Sequence, residues 1–394
     1  MLSYEAMRDM VQDCSLNFLL GSGLSTPYLQ TLGNIESLLT QLEARQSLSQ
    51  EAATMVRASL YKRYFDGVLL RNPRILEPDA EVRPVLDNYC SFLKAISAIL
   101  INRKSPILNK EVNLFTTNVD IFLEKALEDL EAEYNDGFNG RFRPSYSPVQ
   151  FKKSHFKKSR HYDNMSEIPV FNLLKLHGSL TWRIHRPGQI VLSPDLKEVL
   201  EISKKADAAS SHLASLSQDT IDDLVAAAGA TKLDDTVKAF VGAYESLLIV
   251  NPTKDKFRQT VLNDTYYDLL RIYSNELEKE NSLLFAMGFS FADEHIRQLT
   301  IRAADVNPTL MIYVLAYDED ARASIAARFP ASSIRNGNLR VIAPPPTQPR
   351  VPGQTTETVR FDLPTINKTF FEGLAEGKRE SVPPASASTD APAT

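Results

Sequence analysis

Cysteine is almost missing: Cys14 and Cys90 are the only two in 394 residues. Two thiols cannot build the disulfide framework of a small secreted domain, and they cannot supply a four-cysteine zinc site. There is no excess of positive charge either. Lys and Arg number 44 against 49 Asp and Glu, a formal net charge of −5, so no global attraction to nucleic acid or an anionic membrane is expected. No apolar run approaches membrane-spanning length. Met1 to Glu5 lack the basic region and apolar core of a signal peptide, and the chain reads as a cytoplasmic protein. What remains is ordinary globular composition, 43% hydrophobic and 24% charged, over a length that allows two or three structural units.

Glycine occurs only 15 times, so its clusters stand out. The first lies in Leu16–Thr26, where an apolar run from Leu16 to Leu20 is followed by Gly21, Ser22, Gly23, Leu24 and Ser25. An apolar run of that length bounded by glycine reads as a buried strand of a parallel sheet. Glycine lets the backbone turn tightly and approach a ligand, and a helix starting behind it would aim free N–H groups at a phosphate. The usual dinucleotide fingerprint is incomplete, because Thr26 stands where its third glycine would be.

Further strands are expected at Val112–Phe115, Val170–Leu176, Gln189–Leu192, Ser246–Val250, Ser282–Met287, Thr309–Ala316 and Leu339–Ile342. Helical spacing marks 28–43, 50–65, 85–101, 221–243 and 257–277. Residues 203–220, rich in Ala and Ser, read as a linker, and 134–165 as an irregular excursion. That excursion holds a basic, aromatic-interleaved run from Phe151 to Tyr162, read as a solvated loop, so a nucleic-acid role for this chain alone is not expected. Asn118 reads locally as a helix cap, with Asp120 in or near the first turn. Asp293 would cap or open a helix through Ala303. Phe370 and Phe371 offer either a docking handle for a partner or a C-terminal helix packed on its own chain, and 380–394 read as disordered.

Four loops thus follow four strands: Gly21-Ser-Gly-Leu-Ser25, Thr116-Thr-Asn-Val-Asp120, His177-Gly178 and Gly288-Phe-Ser290. Their order and content resemble the sirtuin superfamily, across roughly residues 16–317. The resemblance implies an α/β fold: a sirtuin-like Rossmann-type parallel sheet with helical insertions at about 28–101 and 203–243, spanning 1–343. A Pro-rich C-terminal segment with a partly disordered tail, 344–394, would follow. The phrase Gly288-Phe-Ser-Phe-Ala-Asp-Glu-His-Ile296 is similar to one in sirtuin-like domains of bacterial anti-phage defence proteins, which hydrolyse NAD. Among these, the chain looks most like the subunit paired with a HerA-type hexameric ATPase, which implies a homo-oligomer whose activity responds to that partner.

The departures matter as much. No cysteine lies between His177 and Val250, where sirtuin deacylases hold structural zinc, and Thr117 replaces the family's glutamine. Asn251-Pro-Thr-Lys254 stands where the acyl-lysine groove element is expected. A zinc-independent NAD hydrolase is therefore the expectation, with a protein deacylase and a non-catalytic NAD or ADP-ribose sensor as the other readings. In the resemblance, backbone N–H groups of Gly21, Ser22, Gly23 and Ser25 hold phosphate, with Thr116 among the NAD contacts. Gly288 and Ser290 line the adenosine-phosphate side, and Asn251 contacts ribose. Asn118 orients ribose hydroxyls and water, Asp120 serves the nicotinamide end or the loop, and His177 acts as general base.

Overall fold

The computed structural model describes residues 4–31, 33–45, 47–105, 107–213, 220–229, 232–250, 264–330, 334–345 and 359–376. Their strands are β1 (Ser15–Leu20), β2 (Glu111–Thr116), β3 (Tyr134–Asn135), β4 (Phe138–Asn139), β5 (Ser145–Tyr146), β6 (His155–Lys158), β7 (Met165–Ile168), β8 (Val170–Lys175), β9 (Trp182–Arg186), β10 (Gln189–Leu192), β11 (Ser282–Met287), β12 (Met311–Leu315) and β13 (Leu339–Ile342). Seven of them form the main sheet in the order β13-β12-β11-β1-β2-β8-β3, every pairing parallel. β8 and β11 are buried at every position, as continuous apolar strands of a sheet covered on both faces must be. The expected α/β, Rossmann-like architecture is therefore present.

The chain builds outward from β1 to β2 and β8, then returns to add β11, β12 and β13 on the other side. The order reverses between β1 and β11, and a crevice opens outside the carboxyl ends of strands at such a point. Register puts those ends level: Leu20 pairs with Met287 and Thr116, and Thr116 pairs with Lys175. Four strand ends therefore deliver four loops to one edge of the sheet.

An amide ladder pins that register from inside. Asn113 Nδ2 donates to Asn17 Oδ1 at 2.9 Å, Asn172 Nδ2 to Asn113 Oδ1 at 2.9 Å, and Asn135 Nδ2 to Asn172 Oδ1 at 3.0 Å. All four side chains are buried, and a slip of one residue would turn each to the opposite face.

The block between β1 and β2 carries the helices Ile35–Glu43, Gln50–Tyr64 and Arg83–Ile101. Residues 28–31, 33 and 34 are not helical, although helical spacing marked this stretch. Arg83–Ile101 has mean hydropathy 1.3 and the length to cross a membrane by composition, contrary to the sequence reading, yet Phe92, Leu93 and Ile96 lie in the core. The stretch 203–220, expected as a linker, begins inside the helix Lys197–Ala209, whose Ala206 and Ala209 are buried. Small side chains there serve close helix packing rather than looseness. The helices Ile221–Gly229 and Asp235–Glu245 follow. The two insertions are one packed unit: Tyr61 stacks on Tyr244 at 4.1 Å, Phe65 meets Phe240 edge-on, and Arg45 pairs with Asp222 at 2.6 Å.

Other expectations are corrected as well. Ser246–Val250 is no strand of the sheet, since only Ile249 makes an isolated bridge, to Gly178. The excursion after residue 134 is not irregular: β4, β5, β9 and β10 form an antiparallel sheet, and the basic run folds into the two-stranded ribbon β6–β7. Leu363–Glu376 forms a continuous helical stretch with a π turn at Asn367–Phe371. Phe371 is fully buried, 5.6 Å from Phe18, 5.6 Å from Phe92 and 5.5 Å from Phe285, while Phe370 meets Phe361 at 5.3 Å. This part of the proline-rich C-terminal segment is a structural element of the core, and Phe371 is no exposed handle. Residues 380–394 and Asn251 lie outside the described residues.

Candidate functional site at the sheet switch point

The crevice holds a cavity of about 390 Å³. From the sequence-expected set, Ser22, Gly23, Ser25, Asn118, Asp120, His177, Gly288 and Ser290 line it. Thr116 does not reach it. The Thr116 hydroxyl is fully buried, donating to Leu20 O at 2.8 Å and accepting from Asn118 N at 3.0 Å. It braces β1 and the Asn118 loop rather than meeting a ligand.

The glycine loop differs from the expected helix start. Ser22–Ser25 is a four-residue 3-10 turn, and the next helix opens only at Ile35. The amides of Gly21, Gly23 and Leu24 are already donated to Met287 O, Gly288 O and Gly21 O. The glycines serve loop-to-loop contact: a Cβ on Gly21 would sit 2.3 Å from Gly288 O, and one on Gly288 would sit 2.7 Å from Leu24 N. Gly288 also has φ +61, a conformation open to glycine at little cost.

Asn118 is not the helix cap. The helix Phe122–Asp129 begins after Ile121, whose amide is held by Asn72 Oδ1 at 3.0 Å, and Asp120 Oδ1 accepts from Phe122 N at 3.2 Å. Asn118 is 6% exposed, and its Oδ1 has no hydrogen-bond partner. A buried acceptor in a cavity wall is costly unless something else donates to it, which fits a ligand hydroxyl.

Asp120 sits behind Asn118 in a closed network. Its Oδ2 accepts from Ser25 Oγ at 3.0 Å, Ser25 Oγ lies 2.9 Å from Tyr89 OH, and Lys175 Nζ donates to the Asp120 carbonyl. Lys175 also pairs with Glu124 at 3.0 Å. Burial raises the Asp120 carboxyl above its ordinary range, opposed by the Lys175 ammonium. Burial, then the Asp120 charge, holds the Tyr89 hydroxyl well above its usual value. These contacts tie the Ser25 and Asp120 loops together, and Asp120 also lines the cavity.

His177 follows β8 directly. Its carbonyl accepts from Val250 N at 2.9 Å. Gly178 adopts φ +78, and a Cβ there would stand 2.0 Å from Leu248 O, so only glycine lets the 246–250 segment cross this close. His177 Nε2 lies 3.1 Å from Asp293 Oδ2, with the two side chains 13% and 6% exposed. Asp293 caps the helix Glu294–Val306 as expected, accepting from His295 N and Ile296 N. Its meeting with His177 was not foreseen, because nothing local in sequence links positions so far apart. Leu29, Gln30, Thr31, Glu36, Tyr64 and Val68 from the helical block also line the cavity, which puts that block against the pocket. A Cβ on Gly67, in the π turn Phe65–Leu69, would meet Gln30 Oε1 at 2.7 Å.

The arrangement defines a doubly wound α/β protein with a cavity at its switch point, lined by a buried amide, a histidine and the three carboxylates Glu36, Asp120 and Asp293. The chain belongs to the SIR2-like family: residues 112–336 match the SIR2-like domain. Members of that family are NAD-dependent enzymes. No curated protein matches the chain. Among the described residues no cluster of three His, Cys, Asp or Glu could hold a metal ion.

Proposed function

We propose that the chain hydrolyses NAD to ADP-ribose and nicotinamide. The observation that carries this reading is the convergence of His177 and the unpartnered Asn118 Oδ1 on one cavity, within a SIR2-like fold. Asn118 would accept a hydrogen bond from a nicotinamide-ribose hydroxyl. The bond from C1′ to the nicotinamide nitrogen breaks with its electron pair going to that nitrogen, which neutralises the cationic ring. C1′ passes through an oxocarbenium-like state, as in other glycoside hydrolyses. Water forms the new bond to C1′, and its proton goes to His177. Ser22, Gly23, Gly288 and Ser290 would line the pyrophosphate and adenosine side, with the adenosine-ribose contact at Asn251 as a further proposal. The leaving group already carries positive charge, so the reaction needs no metal from this chain.

The resemblance of Gly288–Ile296 to defence-associated domains supports a role as an anti-phage effector that depletes cellular NAD. It also supports a cytoplasmic homo-oligomer working with a HerA-type ATPase. Incubation of the full chain with NAD, alone and with that ATPase, and separately with an acetylated peptide, tests the reading. Nicotinamide and ADP-ribose should form without peptide and faster with the ATPase. Acetyl-lysine turnover without peptide-independent NAD loss would overturn it in favour of a deacylase. Neither product, with retained NAD binding, would favour a sensor.

A further inference from the structure

We propose that Asp293 is the positioning residue of the histidine, an inference that rests on the NAD-hydrolase reading for its kinetic consequence but not for its structural one. The Asp293 carboxylate is shared between two tasks. Oδ1 accepts from His295 N at 3.0 Å and Ile296 N at 3.3 Å, which fixes the carboxylate to the start of a helix. Oδ2 is then held 3.1 Å from His177 Nε2, within reach of a hydrogen bond although the ring N–H is not aligned on it in this structure. The helix is firmly anchored: Ile296 and Thr300 are fully buried, and Thr300 Oγ1 lies 2.8 Å from Tyr273 OH. The free N–H groups at a helix start favour a negative charge at this position.

The loop before Asp293 is held on both sides. Phe291 takes φ +55, rare for a side chain of its size, with its ring buried 4.9 Å from Phe289 and 4.8 Å from Phe329. Arg297 Nη1 donates to Phe291 O at 3.3 Å, and Arg297 N to Asp293 O at 3.1 Å. A strained backbone held this way persists because its surroundings over-determine it. Its effect here is to present Oδ2 to His177.

The chemical consequence is a choice of tautomer. A carboxylate only accepts, so the proposed pairing puts the proton on Nε2 and leaves Nδ1 as the nitrogen able to take one. When His177 accepts the proton of the attacking water, the resulting imidazolium is stabilised by the adjacent carboxylate.

Asp293→Asn tests this without removing the helix cap, since Asn caps about as well as Asp. The amide oxygen stays with His295 N and Ile296 N, so the amide NH2 faces His177. Nε2 must then accept, and the proton moves to Nδ1. Full-length protein labelled with 15N-histidine, with the His177→Ala variant to assign the resonance, reads the tautomer directly. The wild type should show Nε2–H and Asp293→Asn should show Nδ1–H. NAD turnover should fall about a hundredfold in kcat, with KM within about twofold. The same tautomer in both proteins, or an unchanged kcat in an NAD-hydrolysing wild type, overturns the pairing. A wild type that does not consume NAD, but whose tautomer inverts on substitution, removes the hydrolase reading and supports the pairing.

Discussion

Breaking the asparagine ladder in the main sheet should cost stability in a way that does not add. Asn113→Val leaves Asn17 Oδ1 and Glu276 Oε2 without the Asn113 donor and Asn172 Nδ2 without its acceptor, though Glu276 keeps Lys279 at 2.6 Å. Asn172→Val strands Asn113 Oδ1 and the Asn135 amide in the same manner. Each stranded buried group costs about 1–3 kcal/mol, so either single variant should lose roughly 2–5 kcal/mol after the gain from a buried methyl pair. In the double variant the two groups that faced each other are both gone. Asn17 Oδ1 is left stranded, while Asn135 Nδ2 keeps Lys153 O at 3.3 Å and Glu276 keeps Lys279. The double should therefore cost about as much as one single, a coupling of about 2 kcal/mol or more. Urea denaturation of the four proteins measures this from the midpoints, provided the slopes agree. Strictly additive losses would refute the ladder as an energetic unit. They would leave the asparagines as four unrelated polar groups.

His177→Ala should fold normally and lose about a hundredfold or more of NAD turnover, the scale of a general base, as chromatography of nicotinamide would show. Phe371→Ala should destabilise the protein by about 3–5 kcal/mol in denaturant, because it empties a cluster shared with Phe18, Phe92 and Phe285. Asp136 gives a pH signature. Burial pushes its carboxyl up to about 6, so the folded state binds this proton more tightly than the unfolded chain does. Its contribution is therefore retained at low pH and lost as pH rises from about 4 through 6, by up to about 3 kcal/mol. Asp136→Asn should stabilise at pH 8 and change little at pH 4, compared by denaturation at both. Elemental analysis should find no stoichiometric zinc, since Cys14 and Cys90 lie apart in the fold and are both free.

The strands with glycine, asparagine or histidine at their ends were legible because a parallel strand buried on both faces must be a continuous apolar run. The motif after it must then fall at the sheet edge. That logic located β1, β2, β8 and β11 and most of the cavity wall. It failed at Ser246–Val250, where an equally apolar run crosses over Gly178 instead of joining the sheet, a difference that periodicity cannot register. It failed again at Lys197–Ala209, where alanines that look like a linker are the small contacts of packed helices. Asn17, Asn113, Asn135 and Asn172 were invisible because asparagine is a poor strand former judged alone. Only the register reveals that each partners the next. The pairing of Asp293 with His177 is of the same kind: both residues were singled out, for separate reasons, and only the tertiary fold joins them.

The Gly288 carbonyl occupies the space that a side chain at residue 21 would need, and Leu24 occupies the space that one at 288 would need. Neither loop can therefore drift in sequence by itself. A substitution at either glycine must wait for a compensating shift of a backbone more than 260 positions away, so the two loops inherit change as one unit. The two halves of the chain that wind away from the switch point are free to diverge in their helices and insertions. At this contact a side chain on either glycine would need the other loop to move.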